Sequence, residues 1–263
     1  MTDSSLQFVG TATTILRHGG FTILTDPNFL HRGQYANLGH GLVSKRVTEP
    51  ALQVHELPPL DAVVLSHLHG DHFDRVAKAG LSKDLPIITT RQSARRLRAW
   101  GFSRAVALET WDSHELRKGG ATLTITSTPG RHARGPLQAA LPHVMGSVLE
   151  FGGDAAPLSV YITGDTLVHD DLREIPRRFP SLDVGLWHLG GTRVLGLLVT
   201  MDGKQGADLL EIVTPGMTVP IHYDDYTVFK SPLQDFLDEV RRRGLPGVRP
   251  IVRGELMELP TRG

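Results

Sequence analysis

The chain has no cysteine. That excludes disulfide bridges and thiolate metal ligands alike, and it leaves the redox compartment unencoded. It also lacks a net charge, since 28 Lys and Arg balance 28 Asp and Glu. No global field therefore draws the protein toward nucleic acid or an anionic membrane. No apolar run reaches the ~20 residues of a membrane span. The start, Met1-Thr-Asp-Ser-Ser5, has no basic segment followed by an apolar one, so no signal peptide is expected and a cytoplasmic location is. There is no low-complexity tract, no short-period repeat and no visible boundary. Residues 1–263 are thus read as one domain, large enough for a sizeable core.

What the chain does have is histidine, 13 in all. Four metal-competent side chains fall within six residues: His67, His69, Asp71 and His72. They follow the apolar run Ala62–Leu65, which reads as a buried strand. Imidazole and carboxylate suit zinc and its first-row neighbours. His67 and His69 are two apart, so extended backbone points both to one side. Asp71 and His72 are adjacent and need a turn to converge, which Gly70 supplies. The spacing offers one pair of ligands to one metal and a second pair to a neighbour. A solvated His-rich surface loop is the alternative, and four ordered ligands after an apolar strand argue against it.

Other polar residues sit at strand ends. Leu6–Leu16 reads as β structure, Gly19-Gly20 as a hairpin turn and Phe21–Thr25 as the return strand, closed by Asp26-Pro27. Ala121–Thr128 alternates apolar and polar residues as a half-buried strand does, and it leads into Pro129-Gly-Arg-His132. His132 is placed to ligate there; His143, close behind, is the alternative or a pocket residue. Leu158–Thr163 runs into Gly164-Asp165-Thr166, and Thr218–Ile221 into His222. Leu182–Leu189 carries His188. Asp202 reads as the N-cap of a helix with Ala207, Leu210 and Val213 on one face. Residues 231–244 read as a helix begun by Ser231-Pro232 and ended by Gly244, with Leu233, Phe236, Leu237 and Val240 as its buried stripe. Strands near 249–252 and 255–259 are expected to complete a second sheet. Arg91, Arg95, Arg96 and Arg98 form a basic run that reads as a solvated helix face or a phosphate-binding patch. Residues 29–60, which include His40, show little periodicity and form an irregular insert, a candidate lid in which His31, Arg32 and Tyr35 are candidate substrate contacts or, each taken alone, solvated loop residues.

His67-Leu-His-Gly-Asp-His72 resembles the HxHxDH signature of the metallo-β-lactamase superfamily. The resemblance implies an α/β (α+β) fold, a four-layer αββα sandwich with a one- or two-metal site on the edge between its sheets. It implies His67, His69 and His132 on one metal, Asp71, His72 and His222 on the second, and Asp165 bridging. It implies that Asp26 supports the site from behind the ligands, as carboxylates orient ligating His; a simple turn Asp before Pro is the other reading. Two divalent ions, zinc foremost with Mn or Fe as alternatives, would then give a metal-dependent hydrolase that cleaves a phosphodiester, lactone or other ester with a metal-bound hydroxide. Asp71 would orient that hydroxide and shuttle a proton. His188 is a candidate general acid or substrate contact, and equally a core or supporting His; Asp202 is an N-cap or a support for the site. The missing cysteine departs from the β-lactam-cleaving members. Thr25-Asp-Pro27, Gly164-Asp-Thr166, Thr200-Met-Asp202 and Pro220-Ile-His222 look most like the branch of N-acyl-phosphatidylethanolamine phospholipase D and ascorbate-6-phosphate lactonase. A di-iron oxidoreductase and a non-catalytic metal-binding module are the competing readings. The expected partner is a small-molecule substrate, with no nucleic acid and no stable membrane insertion.

Overall fold

The computed structural model describes residues 4–260 apart from His40 and Pro136, so His40 lies outside the described residues. Two mixed sheets face each other. The first has seven strands in the order Leu256–Glu258, Ser5–Gly10, Thr13–His18, Phe21–Thr25, Ala62–Leu65, Ile87–Thr90 and Ala105–Leu108. Its last four strands are parallel. The second has six strands in the order Met217–Ile221, Val184–His188, Leu158–Ile162, Met145–Gly153, Ala121–Pro129 and Ser113–Lys118. Its first three are parallel and the rest antiparallel.

The period-2 direction of strand side chains sorts residues into layers. Ile23 and Val64 face the second sheet and meet Leu123, Leu149, Val160 and Leu186 there. Their chain neighbours Leu24, Val63 and Leu65 face outward, against Ala77, Ala94 and Leu97 of the helices Arg75–Gly80 and Arg91–Ala99. Burial on both faces is why Ala62–Leu65 is apolar throughout instead of alternating. On the far side, Tyr161 and Trp187 pack on Leu210, Phe236 and Val240 of the helices Gly203–Val213 and Leu233–Arg243. The layers run helix, sheet, sheet, helix: the αββα sandwich that the motif implies. Among the described residues no helix is long and apolar enough to cross a membrane.

Several local expectations need correction. Leu6–Leu16 is not one strand: Thr11, at φ 56, breaks it into a hairpin of Ser5–Gly10 and Thr13–His18. The last strand joins the first sheet by pairing with Ser5–Gly10, not the second sheet. Residues 249–252 form no strand; near them a single bridge links Thr218 and Val248. Ser113–Lys118 is an additional edge strand, and it is polar because none of its residues is buried. The last helix begins at Leu233 with Pro232 as its N-cap. The insert carries a short hairpin, Tyr35–Asn37 with Val43–Lys45.

The insert is tied down at two points. Gly70 donates to the Asn37 carbonyl at 2.8 Å, and a Cβ on Gly70 would lie 2.7 Å from the Asn37 nitrogen. Glycine is needed there for close approach of the insert hairpin, not for a left-handed turn. Arg46, fully buried, donates to the carbonyl and side chain of Asn28 and pairs with Asp225 at 3.4 Å. Tyr226 donates to Asn28 Oδ1 at 3.0 Å, and Thr11 N to Asp225 Oδ2 at 2.6 Å. A polar knot thus joins the first hairpin, the insert and the loop after His222.

Candidate metal centre

Open α/β sheets place ligands beyond the carboxyl ends of their strands. Six strand ends converge at one edge here. They deliver Asp26, the run from Ser66 to His72, His132, Asp165, His188 and His222. Gly164, at φ +60, lets the backbone pass: a Cβ would lie 2.6 Å from the Met145 carbonyl and 3.1 Å from Ser66 Cβ.

The expected ligands fall into two adjoining groups. His67, His69 and His132 each offer a nitrogen within 4.8 Å of the others, and so do donor atoms of Asp71, His72 and His222. Asp165 lies between the groups, with Oδ1 3.4 Å from His72 Nε2 and 3.6 Å from His222 Nδ1. His67 Nε2 is 2.9 Å from His69 Nδ1, and His132 Nε2 is 3.3 Å from the same atom.

Outer partners set which nitrogen of each ring faces inward. His132 Nδ1 lies 2.6 Å from the Val199 carbonyl and His222 Nδ1 3.0 Å from the Leu189 carbonyl. A carbonyl only accepts, so each Nδ1 carries a proton and Nε2 is the nitrogen left to ligate when the ring is neutral. Ser66 Oγ stands 3.0 Å from His67 Nδ1 and 3.3 Å from His72 Nδ1. Asp26 Oδ1 accepts from Ser66 N at 2.7 Å, while its Oδ2 is 3.3 Å from His72 Nδ1. Thr200 Oγ1 donates to Asp165 Oδ2 at 2.9 Å.

The charges follow from this packing. Burial, then neighbouring His72, His69 and His132, hold His67 well below its ordinary value. Burial and His132 bring His69 down to about 3. Burial opposes a charge on His72 too, but Asp165, Asp71 and Asp26 outweigh it and raise that ring well above its usual range. For Asp26, burial is likewise overcome by His72 and His188, which lower its carboxyl to about 2.

Four donor atoms in this cluster are buried without any hydrogen-bond partner: Asp71 Oδ1, His72 Nε2, Asp165 Oδ1 and His222 Nε2. Buried polar atoms are almost always satisfied, and leaving several unsatisfied in one place is costly. Carboxylate oxygens and imidazole nitrogens that give up a proton on binding fit divalent cations, and the outer hydrogen bonds supply the support that ligating side chains need.

His69, Asp71, His132 and Asp165 form the floor of a cavity of about 430 Å³. Its walls are mainly apolar: Leu42 and Val43 from the insert hairpin, Leu141, Val199 and Val228, and Leu195 from the hairpin Arg193–Val194/Leu197–Leu198, with Thr192 and Arg193 as the polar exceptions. Leu195 is 93% exposed at φ 51, an unusual place for a bulky apolar side chain.

The remaining expected residues fall elsewhere. His188 is fully buried behind His72, with Nε2 3.4 Å from Asp26 and Nδ1 3.1 Å from Thr163 Oγ1. The rings of His188 and His72 stack at 5.9 Å, and His188 does not line the cavity. Of the two readings of His188, this position fits the core or supporting His and not a substrate contact. Asp202 caps its helix by accepting from Gln205 N. His143 is exposed and belongs to none of the candidate metal groups. His31 pairs with Glu49 on the surface, and Tyr35 is 55% exposed on the insert hairpin. Ser66, Thr200 and the apolar walls went unread in the sequence. Thr200 left a trace two residues before the Asp202 cap; the walls left none.

This fold and constellation define an αββα protein with a His- and Asp-rich centre on the shared edge of its sheets. Residues 22–223 match the beta-lactamase superfamily domain, and the chain belongs to that family. It is similar to a UPF0173 metal-dependent hydrolase of Deinococcus radiodurans, 29% identical over 201 residues that cover 75% of this chain and 80% of that one. A second UPF0173 metal-dependent hydrolase, from an Exiguobacterium species, is 26% identical over 92% of this chain and 95% of its own length. Among solved structures, an isothiocyanate hydrolase from Delia radicum gut bacteria shares the fold, with TM-score 0.81 and 22% identity over 97% of this chain and 99% of that one.

Proposed function

We propose that this protein is a metal-dependent hydrolase of an ester-type bond, with phosphodiesters and lactones as its first candidate substrates. His67, His69 and His132 would hold one divalent cation and Asp71, His72 and His222 a second, with Asp165 shared. Zinc is the first candidate for both. The observation that carries the reading is the set of four buried, unpartnered donor atoms aimed into one edge of the sandwich. The names of the two curated relatives support the hydrolytic class. Bound there, the cations would supply Lewis acidity and lower the pKa of coordinated water.

The chain's own groups do the rest. Asp71 lines the cavity floor with a free Oδ1, where it can orient a water molecule and take its proton. Thr200 and Asp26 hold Asp165 and His72 in place. The apolar walls exclude bulk water and take the apolar part of a small-molecule substrate. The Gly164-Asp-Thr166 and Thr200-Met-Asp202 stretches keep the phospholipase D and lactonase branch as the guide to the bond cleaved. The test is elemental analysis of the purified protein together with a panel of chromogenic phosphodiesters and lactones. Two equivalents of zinc, and turnover lost to a chelator and restored by zinc, are expected. Iron in its place would favour the di-iron reading. Turnover that survives complete metal removal would end the proposal.

A further inference from the structure

A second cavity, about 700 Å³, adjoins the apolar one. His69, Ala140 and Leu141 line both, so the two meet at the edge of the metal cluster. Their chemistry differs. The second is lined by Gly39, Gln92, Arg95, Arg96 and Pro142 beside the shared residues, and no carboxylate lines it among the described residues. The helix Arg91–Ala99 carries four arginines. Two are engaged away from this cavity: Arg91 pairs with Glu109, and Arg98 donates to the Ala105 carbonyl at 2.7 Å. Arg95 and Arg96 line the cavity and have no carboxylate partner among the described residues. Arg96 is braced by Trp100, whose ring centroid lies 5.5 Å from the guanidinium carbon. In a chain of zero net charge, this leaves a local excess of positive charge beside the candidate reaction centre.

We infer that this arginine cavity binds an anionic group of the substrate, a carboxylate or phosphate remote from the bond that is cleaved. The inference rests on the hydrolase reading and names the substrate class for it: a molecule lying across His69, apolar at one end and anionic at the other. Arginine suits either anion because its planar fork matches both oxygen geometries. The basic run at 91–98, read from sequence as a solvated face or a phosphate patch, splits between the two uses along one helix.

The test uses the zinc-loaded protein and matched pairs of chromogenic esters, lactones and phosphodiesters that differ only in a terminal methyl or carboxylate. The wild-type protein should prefer the anionic member by about tenfold in kcat/KM, mostly through KM, as expected for a partly exposed ion pair plus directed hydrogen bonds. Arg95→Ala and Arg96→Ala should each shrink that ratio, and Arg95→Glu/Arg96→Glu should invert it. Arg96→Lys should keep part of it. Arg91→Ala, on the same helix but paired elsewhere, should leave it unchanged. High salt should lower the ratio in the wild type and not in the double variant. A ratio near one in the wild type, or one indifferent to both arginines, overturns the inference and leaves hydrolysis standing. No metal-dependent turnover of any pair overturns the hydrolase reading itself.

Discussion

Replacing Arg46 with methionine tests whether the polar knot beneath the site holds the insert to the sandwich. Arg46 and Asp225 are both fully buried, and their pairing distance is 3.4 Å. Removing one partner of a buried ion pair costs about 3–5 kcal/mol, because the other charge is left in a poor solvent. The lower end applies here. Asp225 keeps Arg253 at 3.1 Å and the amide of Thr11 at 2.6 Å. Asn28 loses a donor but keeps Tyr226 at 3.0 Å. A loss of about 3 kcal/mol corresponds to a fall of roughly 6–12 °C in Tm for a chain of this size. The pH dependence has a definite sign. Burial works against the charge on Asp225, yet Arg253, Arg46, Thr48 and Thr11 outweigh it and hold the carboxyl below its ordinary value. A carboxyl depressed in the folded state stabilises the protein fully above its unfolded value of about 3.9 and loses that contribution as pH falls through the folded value. The Arg46→Met protein should therefore lose less stability on acidification than the wild type. Thermal unfolding of both proteins from neutral pH into the acid range measures both effects. A Tm change under about 2 °C, or unchanged acid sensitivity, would refute the argument.

Three further outcomes follow from the site. Asp26→Asn should weaken metal binding by about 10–100-fold in a chelator competition, because the residue that orients His72 loses its charge. Gly164→Ala should destabilise by roughly 1–3 kcal/mol in urea unfolding and lower metal content, since the new Cβ meets the Met145 carbonyl at 2.6 Å in a left-handed backbone. His69→Ala and His222→Ala should each reduce bound zinc from the proposed two equivalents toward one by elemental analysis, whereas His143→Ala should leave it unchanged, because His143 is exposed and joins no candidate metal group.

The stretch Ala62–His72 carried most of what was legible in the sequence. Its apolar strand and its ligand order are local facts, written in consecutive residues. The strand ends at Asp165 and His222 were legible for the same reason: an apolar run stops and a donor follows. Residues whose meaning depends on distant partners were opaque. Arg46 looked like one more charge in an aperiodic insert, yet it is fully buried because Asn28 and Asp225, 18 and 179 positions away, meet it. His188 shared the strand-end signature of the ligands and still lies behind them, since no sequence pattern gives the depth at which a strand stops relative to its neighbours.

The sequence by itself determined which side chains were available at the edge, because a strand and the turn after it are settled by neighbours within a few residues. Only the tertiary structure decided which of them face one another. Packing two sheets against each other fixes distances between residues a hundred or more positions apart, and it alone hollowed an apolar chamber and an arginine-lined one on either side of His69.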